Sequence, residues 1–101
     1  MIAGLSTEHC AMILEEIQKI SGIMEVKIFG SRAQGNFKPG SDIDLALFGE
    51  NLSQTDGTLL SSRLNEYTLL PYKFDVVVFG NITSTELKQH IIAVGKTIFS
   101  R

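Results

Sequence analysis

A chain of 101 residues buries one hydrophobic core, so a single domain over residues 1–101 is expected. With 44% hydrophobic and 20% charged residues it is not a disordered chain, and no apolar run nears the ~20 residues that cross a bilayer. A net charge of -2 with scattered basic residues argues against stable binding of polymeric nucleic acid, while the lone Cys10 and the signal-free stretch Met1 to His9 point to the cytoplasm.

Ser6 reads as a helix N-cap, with Glu8 in the first turn and Cys10, Ile13, Leu14, Ile17 and Ile20 at helical spacing; Gly22 suits the stop. Met24 to Phe29 alternates and reads as a strand. The segment Gly30-Ser31-Arg32-Ala33-Gln34-Gly35 predicts a short helical turn, and Lys38-Pro39-Gly40-Ser41 has Pro and Gly where a type II turn wants them. Asp42 to Phe48 is the second strand. Leu52 to Tyr67 predicts a helix opened by Ser53 or Thr55, with Leu60, Leu64 and Tyr67 on one face and Gly57 as a weak point; Pro71 bars its continuation. Lys73 to Phe79 is the third strand. Thr83 and Glu86 form a capping-box pattern before a helix carrying Leu87, Ile91 and Val94, which Gly95 closes.

Ile43, Leu45 and Leu47 share one face of the second strand, as do Phe74, Val76 and Val78 in the third, and these faces should meet Val26 and Ile28 under the helices. The expected architecture is an α/β (α+β) domain: a small mixed β-sheet with helices packed on one face. Asp42, Asp44 and Asp75 then point to the other side. Ala46, Phe48, Val77 and Phe79 lie there too, an apolar patch expected to need cover from another chain.

Only four aspartates occur, and three of them sit inside apolar strands. Residues two apart on a strand lie roughly 6 to 7 Å apart on one face, so Asp42 and Asp44 can address one cation. Hard oxygen ligands of this kind suit Mg²⁺, and a third carboxylate from a neighbouring strand extends the site to two ions, the arrangement of nucleotidyl transfer. Gly30 at a strand end lets backbone approach phosphates, and Ser31 adds a hydroxyl and amide donors. Arg32, Lys38 and Lys73 are candidate charge partners for the triphosphate: Arg32 reads as either a phosphate contact beside Gly30 and Ser31 or a solvated loop residue, and Lys38 and Lys73 lean towards solvated. His9 and His90 read as helix-surface or boundary residues and Cys10 as core packing. A Gly-Ser step or a strand-end Asp pair is weak alone. With ten residues between Ser31 and Asp42, the four fixed positions arise by chance in on the order of one such chain in a thousand.

The stretch from Gly30-Ser31-Arg32-Ala33-Gln34-Gly35 through Gly40-Ser41-Asp42-Ile43-Asp44-Leu45-Ala46 resembles the signature of the DNA polymerase beta-like nucleotidyltransferase superfamily, in its minimal nucleotidyltransferase branch. The helix before the motif, Asp75 in its strand and the closing helix extend the likeness over nearly the whole chain. The resemblance implies that fold, with Gly30 and Ser31 on the triphosphate of ATP or another nucleoside triphosphate. Asp42 and Asp44 would bind both of two Mg²⁺ ions, and Asp75 would complete the metal site and help deprotonate the acceptor.

Members of this branch pair with a separately encoded helical HEPN or substrate-binding subunit, in many cases as a toxin-antitoxin system, and adenylylate a tyrosine of a ribonuclease partner. The implied activity is therefore transfer of AMP from ATP to a hydroxyl on such a partner. Larger relatives use a second domain after the position of Val94 to hold the acceptor, so the platform is expected from another chain. The alternatives are a non-catalytic neutralising subunit and a transferase acting on a small molecule of the aminoglycoside type.

Overall fold

The computed structural model describes residues 3–101; Met1 and Ile2, part of the stretch read above for a targeting signal, lie outside the described residues. The chain runs α1 (Thr7–Gln18), β1 (Glu25–Phe29), α2 (Ser31–Gln34), β2 (Ile43–Phe48), α3 (Gln54–Glu66), β3 (Phe74–Val78), a 3-10 turn (Phe79–Asn81), α4 (Thr85–Val94) and β4 (Lys96–Ser100). The four strands form one mixed sheet in the order β3-β2-β1-β4, with β1 antiparallel to β2 and β4 and β2 parallel to β3. Among the described residues no helix is long and apolar enough to cross a membrane.

Local chemistry explains the helix starts. Ser6 caps α1 by accepting from the His9 amide at 3.1 Å. Ser53, not Thr55, caps α3, in a reciprocal box with Asp56. The cap of α4 falls one residue later than expected, at Ser84, which accepts from the Leu87 amide. Helix α1 stops at Gln18, before Gly22. Gly57 lies where α3 packs close on β3: a Cβ there would sit 3.0 Å from Val78 Cγ2, tighter than ordinary contact.

The alternation in the strands divides the apolar residues between two cores. Val26, Ile28, Ile43, Leu45, Leu47, Phe74 and Val78 face Ile13 and Ile17 of α1 and Leu60 and Leu64 of α3, all buried. Burying a side chain of this size stabilises by roughly 1.5 to 3 kcal/mol. The other face differs from the sequence expectation. Its Phe29 and Ala46 are buried under Ile91 of α4, with Phe48, Val77, Phe79, Leu87 and Val94 packed around them. Helices thus pack on both faces, and the chain's own α4 covers part of the apolar patch expected to await another chain, with Ala46 buried and Phe48, Val77 and Phe79 half-buried.

Strand β4 extends the sheet beyond the three strands read from the sequence. Its register against β1 shifts between Val26 and Lys27, where the pairing steps from Phe99 to Thr97 and skips Ile98. The bulge lets the consecutive residues Ile98 and Phe99 both pack against the first core, which erases the two-residue period that would announce a strand.

One ion-pair cluster ties α1 to α3. Glu16, 9% exposed, accepts from Arg63 and from Lys19, the latter at 3.0 Å. The Arg63 hydrogen bond holds the Glu16 carboxyl below its ordinary value of 4.5, against the opposing effect of desolvation, with Lys19 helping. A lowered folded pKa contributes stability that is complete above the ordinary value and is lost as pH falls through the folded one. Glu16→Gln is therefore expected to cost about 1 kcal/mol at neutral pH. In thermal melts the gap to wild type should close as the medium is acidified below pH 4; a gap independent of pH would assign the loss to packing.

Candidate active site

Strand β1 ends at Phe29, and the chain leaves it through Gly30 at φ 73, ψ -153, a region essentially closed to residues with a Cβ. Gly30 then caps the short α2, which Gly35 ends in the left-handed conformation at φ 83. Phe29 is the register partner of Asp44 across the antiparallel pair, so Gly30 falls beside the Asp44 side chain. The approach is close enough that a methyl on Gly30 would collide with Asp44 Oδ2. The glycine is needed both for its backbone angles and for the space the carboxylate occupies.

On the other side of β2, the parallel register places Asp75 of β3 opposite Asp44. Asp42 precedes β2 by one residue and shares the parity of Asp44, so it lies on the same face. The structure thus brings Gly30, Asp42, Asp44 and Asp75 to neighbouring positions on three adjacent chain segments, with Ser31 opening α2 next to them. Asp42 and Asp75 are exposed, and Asp44 and Ser31 are half-buried.

The electrostatics follow from that crowding. Burial pushes the Asp44 carboxyl above its ordinary value of 3.8, the charges of Asp75 and Asp42 push in the same direction, and His90 opposes them. Among the described residues none of the three aspartates takes part in a hydrogen bond or ion pair of its side chain. Three acidic oxygen donors with no protein cation between them match in chemistry what a hard divalent ion requires. Their side chains are not drawn together: among the described residues no three His, Cys, Asp or Glu groups already form a metal cluster. An arriving ion would have to gather them.

His90 is the site neighbour that sequence reasoning missed. Its ring meets Phe29 edge to face at 6.2 Å between centroids, and its charge is felt by Asp44. The signal was present, because Leu87, His90, Ile91 and Val94 follow the i, i+3, i+4, i+7 spacing of one helix face. What was lacking was the knowledge that this face lies on the aspartate side of the sheet.

Arg32 corrects the sequence expectation. It is 2% exposed, and its guanidinium donates to three backbone carbonyls, those of Ser41, Pro39 and Ala3, each at 3.1 Å. With its nitrogens so engaged it is not poised as a phosphate contact. Lys38 and Lys73 are exposed, as expected. The turn at Lys38 closes with the Ser41 amide donating to the Lys38 carbonyl at 2.9 Å, but Gly40 lacks the positive φ of a type II turn. His9 is held by the Tyr72 hydroxyl at 2.7 Å from Nδ1, and Cys10 packs against the first core, both structural roles. An open cleft of about 1040 Å³ between Glu25, Phe48, Glu50 and Phe79 lies at the far end of β2 and includes none of the aspartates of the site.

Residues 9–101 match the family described as Polymerase beta, Nucleotidyltransferase. No curated protein sequence matches the chain. Among solved structures, the fold is similar to a chain of a toxin-antitoxin crystallised with AMP-PNP, at 26% identity and TM-score 0.75, covering 91% of this chain and 73% of that one. It is also similar to a chain in the complex of a tri-AMPylated Shewanella oneidensis HEPN toxin with MNT antitoxin, at 22% identity and TM-score 0.68, with 91% and 70% covered. A further Shewanella oneidensis structure aligns over 95% of this chain and 74% of its own at 19% identity and TM-score 0.67. The family match spans almost the whole chain and contains the Gly30-Ser31 step and Asp42, Asp44 and Asp75, and the chain belongs to the polymerase beta nucleotidyltransferase family.

Proposed function

We propose that this nucleotidyltransferase moves AMP from ATP to a hydroxyl on a helical HEPN-type partner, in the manner of a cytoplasmic antitoxin that silences its toxin. The observation that carries the reading is the register that sets Gly30, Asp44 and Asp75 side by side. The choice of AMP and of a protein acceptor is supported by the similar structures, one of which holds AMP-PNP and another an AMPylated HEPN toxin.

In this reading Gly30 admits the triphosphate against bare backbone, and the Ser31 hydroxyl donates to a phosphate oxygen. Asp42, Asp44 and Asp75 would hold Mg²⁺, two ions being the number that serves such transfers, and the metal supplies activation of the attacking oxygen and neutralisation of the triphosphate. The acceptor oxygen bonds to the α-phosphorus as the bond to the β-phosphate oxygen breaks. Pyrophosphate leaves, and the acceptor proton passes to the Asp75 carboxylate.

Incubation with α-labelled ATP, Mg²⁺ and the partner should move label onto the partner, with a nucleotide adduct found by mass spectrometry. If no nucleoside triphosphate labelled it, the reading would be overturned. A purely binding role, as a non-catalytic neutralising subunit, has less motive here, since Ala46 is buried and α4 packs over part of the apolar patch that suggested it. No observation favours a small-molecule acceptor.

A further inference from the structure

We propose that Arg32 is a positioning residue that fixes Asp42 relative to Ser31, a role that rests on the nucleotidyl-transfer reading above. Ser31 and Asp42 are separated by ten residues, and Arg32 is the first of them. Its Nε donates to the carbonyl of Ser41, the last of them, and its Nη2 to the carbonyl of Pro39. One guanidinium therefore joins the two ends of the interval and holds the peptide that leads into Asp42. Within the loop, the Ser41 hydroxyl accepts from the Lys38 amide at 2.8 Å, so the turn moves as a unit with the carbonyls Arg32 grips.

The clamp is itself clamped. The guanidinium carbon lies 4.9 Å from the ring centroid of Phe37 and 4.9 Å from that of Tyr72. The Tyr72 hydroxyl is held in turn by His9 of α1. The third arm, Nη1, donates to Ala3, whose backbone takes an unusual positive φ of 50 ahead of Gly4 at φ 77. A Cβ on Gly4 would run into the Phe37 ring, so this segment closes over the cluster. A buried cation held only by carbonyls and aromatic faces is a costly way to fill space. It is a good way to fix a loop, because the rigid planar fork of arginine reaches carbonyls spread around it, whereas the donors of a lysine radiate from one nitrogen on a flexible stem.

The test separates positioning from phosphate binding by charge. Arg32→Lys keeps the charge and loses the fork, and Arg32→Gln loses both. Both should lower the kcat for label transfer by about 100-fold, the effect of a small misplacement of a reacting group, with the KM for ATP nearly unchanged. Amide exchange over residues 36–42 should accelerate while the rest of the chain keeps its protection. Millimolar guanidinium should restore part of the rate to Arg32→Ala. If these variants do not fold, Tyr72→Leu, which keeps the arginine but removes one ring, should give the same local exchange and kcat loss at smaller amplitude.

A variant pair whose ATP KM tracks charge, normal for Lys and raised for Gln at unchanged kcat, would overturn the proposal in favour of direct phosphate contact. Unchanged kcat per folded molecule with a lowered melting temperature would overturn it in favour of a structural role alone. The exchange measurement needs no nucleotide. Wild type that transfers no label would therefore sink the adenylylation reading, while unchanged exchange in residues 36–42 would sink the Arg32 proposal separately.

Discussion

Asp44→Asn is expected to abolish nucleotidyl transfer and to raise the melting temperature of the metal-free protein. Both effects come from one position. Asp44 is partly desolvated and lies between Asp42 and Asp75, and these causes hold its carboxyl above the ordinary value of 3.8. A raised folded pKa means that the group contributes stability below its unfolded value and that this is lost as pH rises through the folded one. At neutral pH the fold therefore carries the cost of an ionised Asp44, and the neutral amide does not. Relief of this kind raises the melting temperature, by an amount that solvent screening of a half-buried group reduces.

In the proposed mechanism the same substitution removes charge from the metal donor set, whose contribution to transfer is worth several kcal/mol. Thermal melts at pH 7 and pH 3.5, with and without Mg²⁺, and a label-transfer assay check the pair. The gain should be present at pH 7 and shrink at pH 3.5, where wild-type Asp44 is protonated. Mg²⁺ should raise the melting temperature of wild type by binding the native state alone and do much less for the variant. A variant that melts lower at both pH values would show that the Asp44 carboxylate is structural.

The sequence made much of this site legible because its parts are local. Alternation showed the faces of β1, β2 and β3, and turn residues marked the loop between Ser31 and Asp42. That Asp75 stands level with Asp44 follows from the parallel pairing of β2 and β3, whose register involves residues thirty-one positions apart. Helix α4 was readable as a helix from its cap and apolar stripe, but not as a cover for the aspartate face. The central strand is apolar on both sides, with Leu45 and Leu47 on one and Ala46 and Phe48 on the other, and a single sequence does not state which element covers which side.

His90 is a half-buried residue of α4, as a boundary histidine should be, but its place beside Asp44 went unread for that reason. The carbonyl partners of Arg32 went unread for another. An arginine in a glycine-rich loop beside a phosphate motif fits the chemistry of anion binding, whereas the carbonyls it serves, at residues 3, 39 and 41, come together only in the folded chain. Strand β4 escaped because its bulge places Ile98 and Phe99 together on one core and hides the alternation.

Gly30→Ala is the second substitution expected to act strongly, and its effect has two separable origins. Backbone at φ 73, ψ -153 costs an alanine on the order of 1 to 3 kcal/mol, whatever surrounds it. The added methyl also meets Asp44 Oδ2, so the carboxylate must turn or the end of β1 must move. Either movement displaces the Asp44 oxygen from the Gly30 backbone, and in the proposed mechanism a shift near 1 Å lowers transfer by about 100-fold. A double-mutant cycle with Asp44→Ala resolves the two origins. In that background the collision is gone and the backbone strain remains, so Gly30→Ala should destabilise less than it does beside Asp44, with a coupling of at least about 0.5 kcal/mol. Equal destabilisation in both backgrounds would leave strain as the whole cause, and full transfer by Gly30→Ala would mean that the contact between Gly30 and Asp44 does not set the position of the reacting groups.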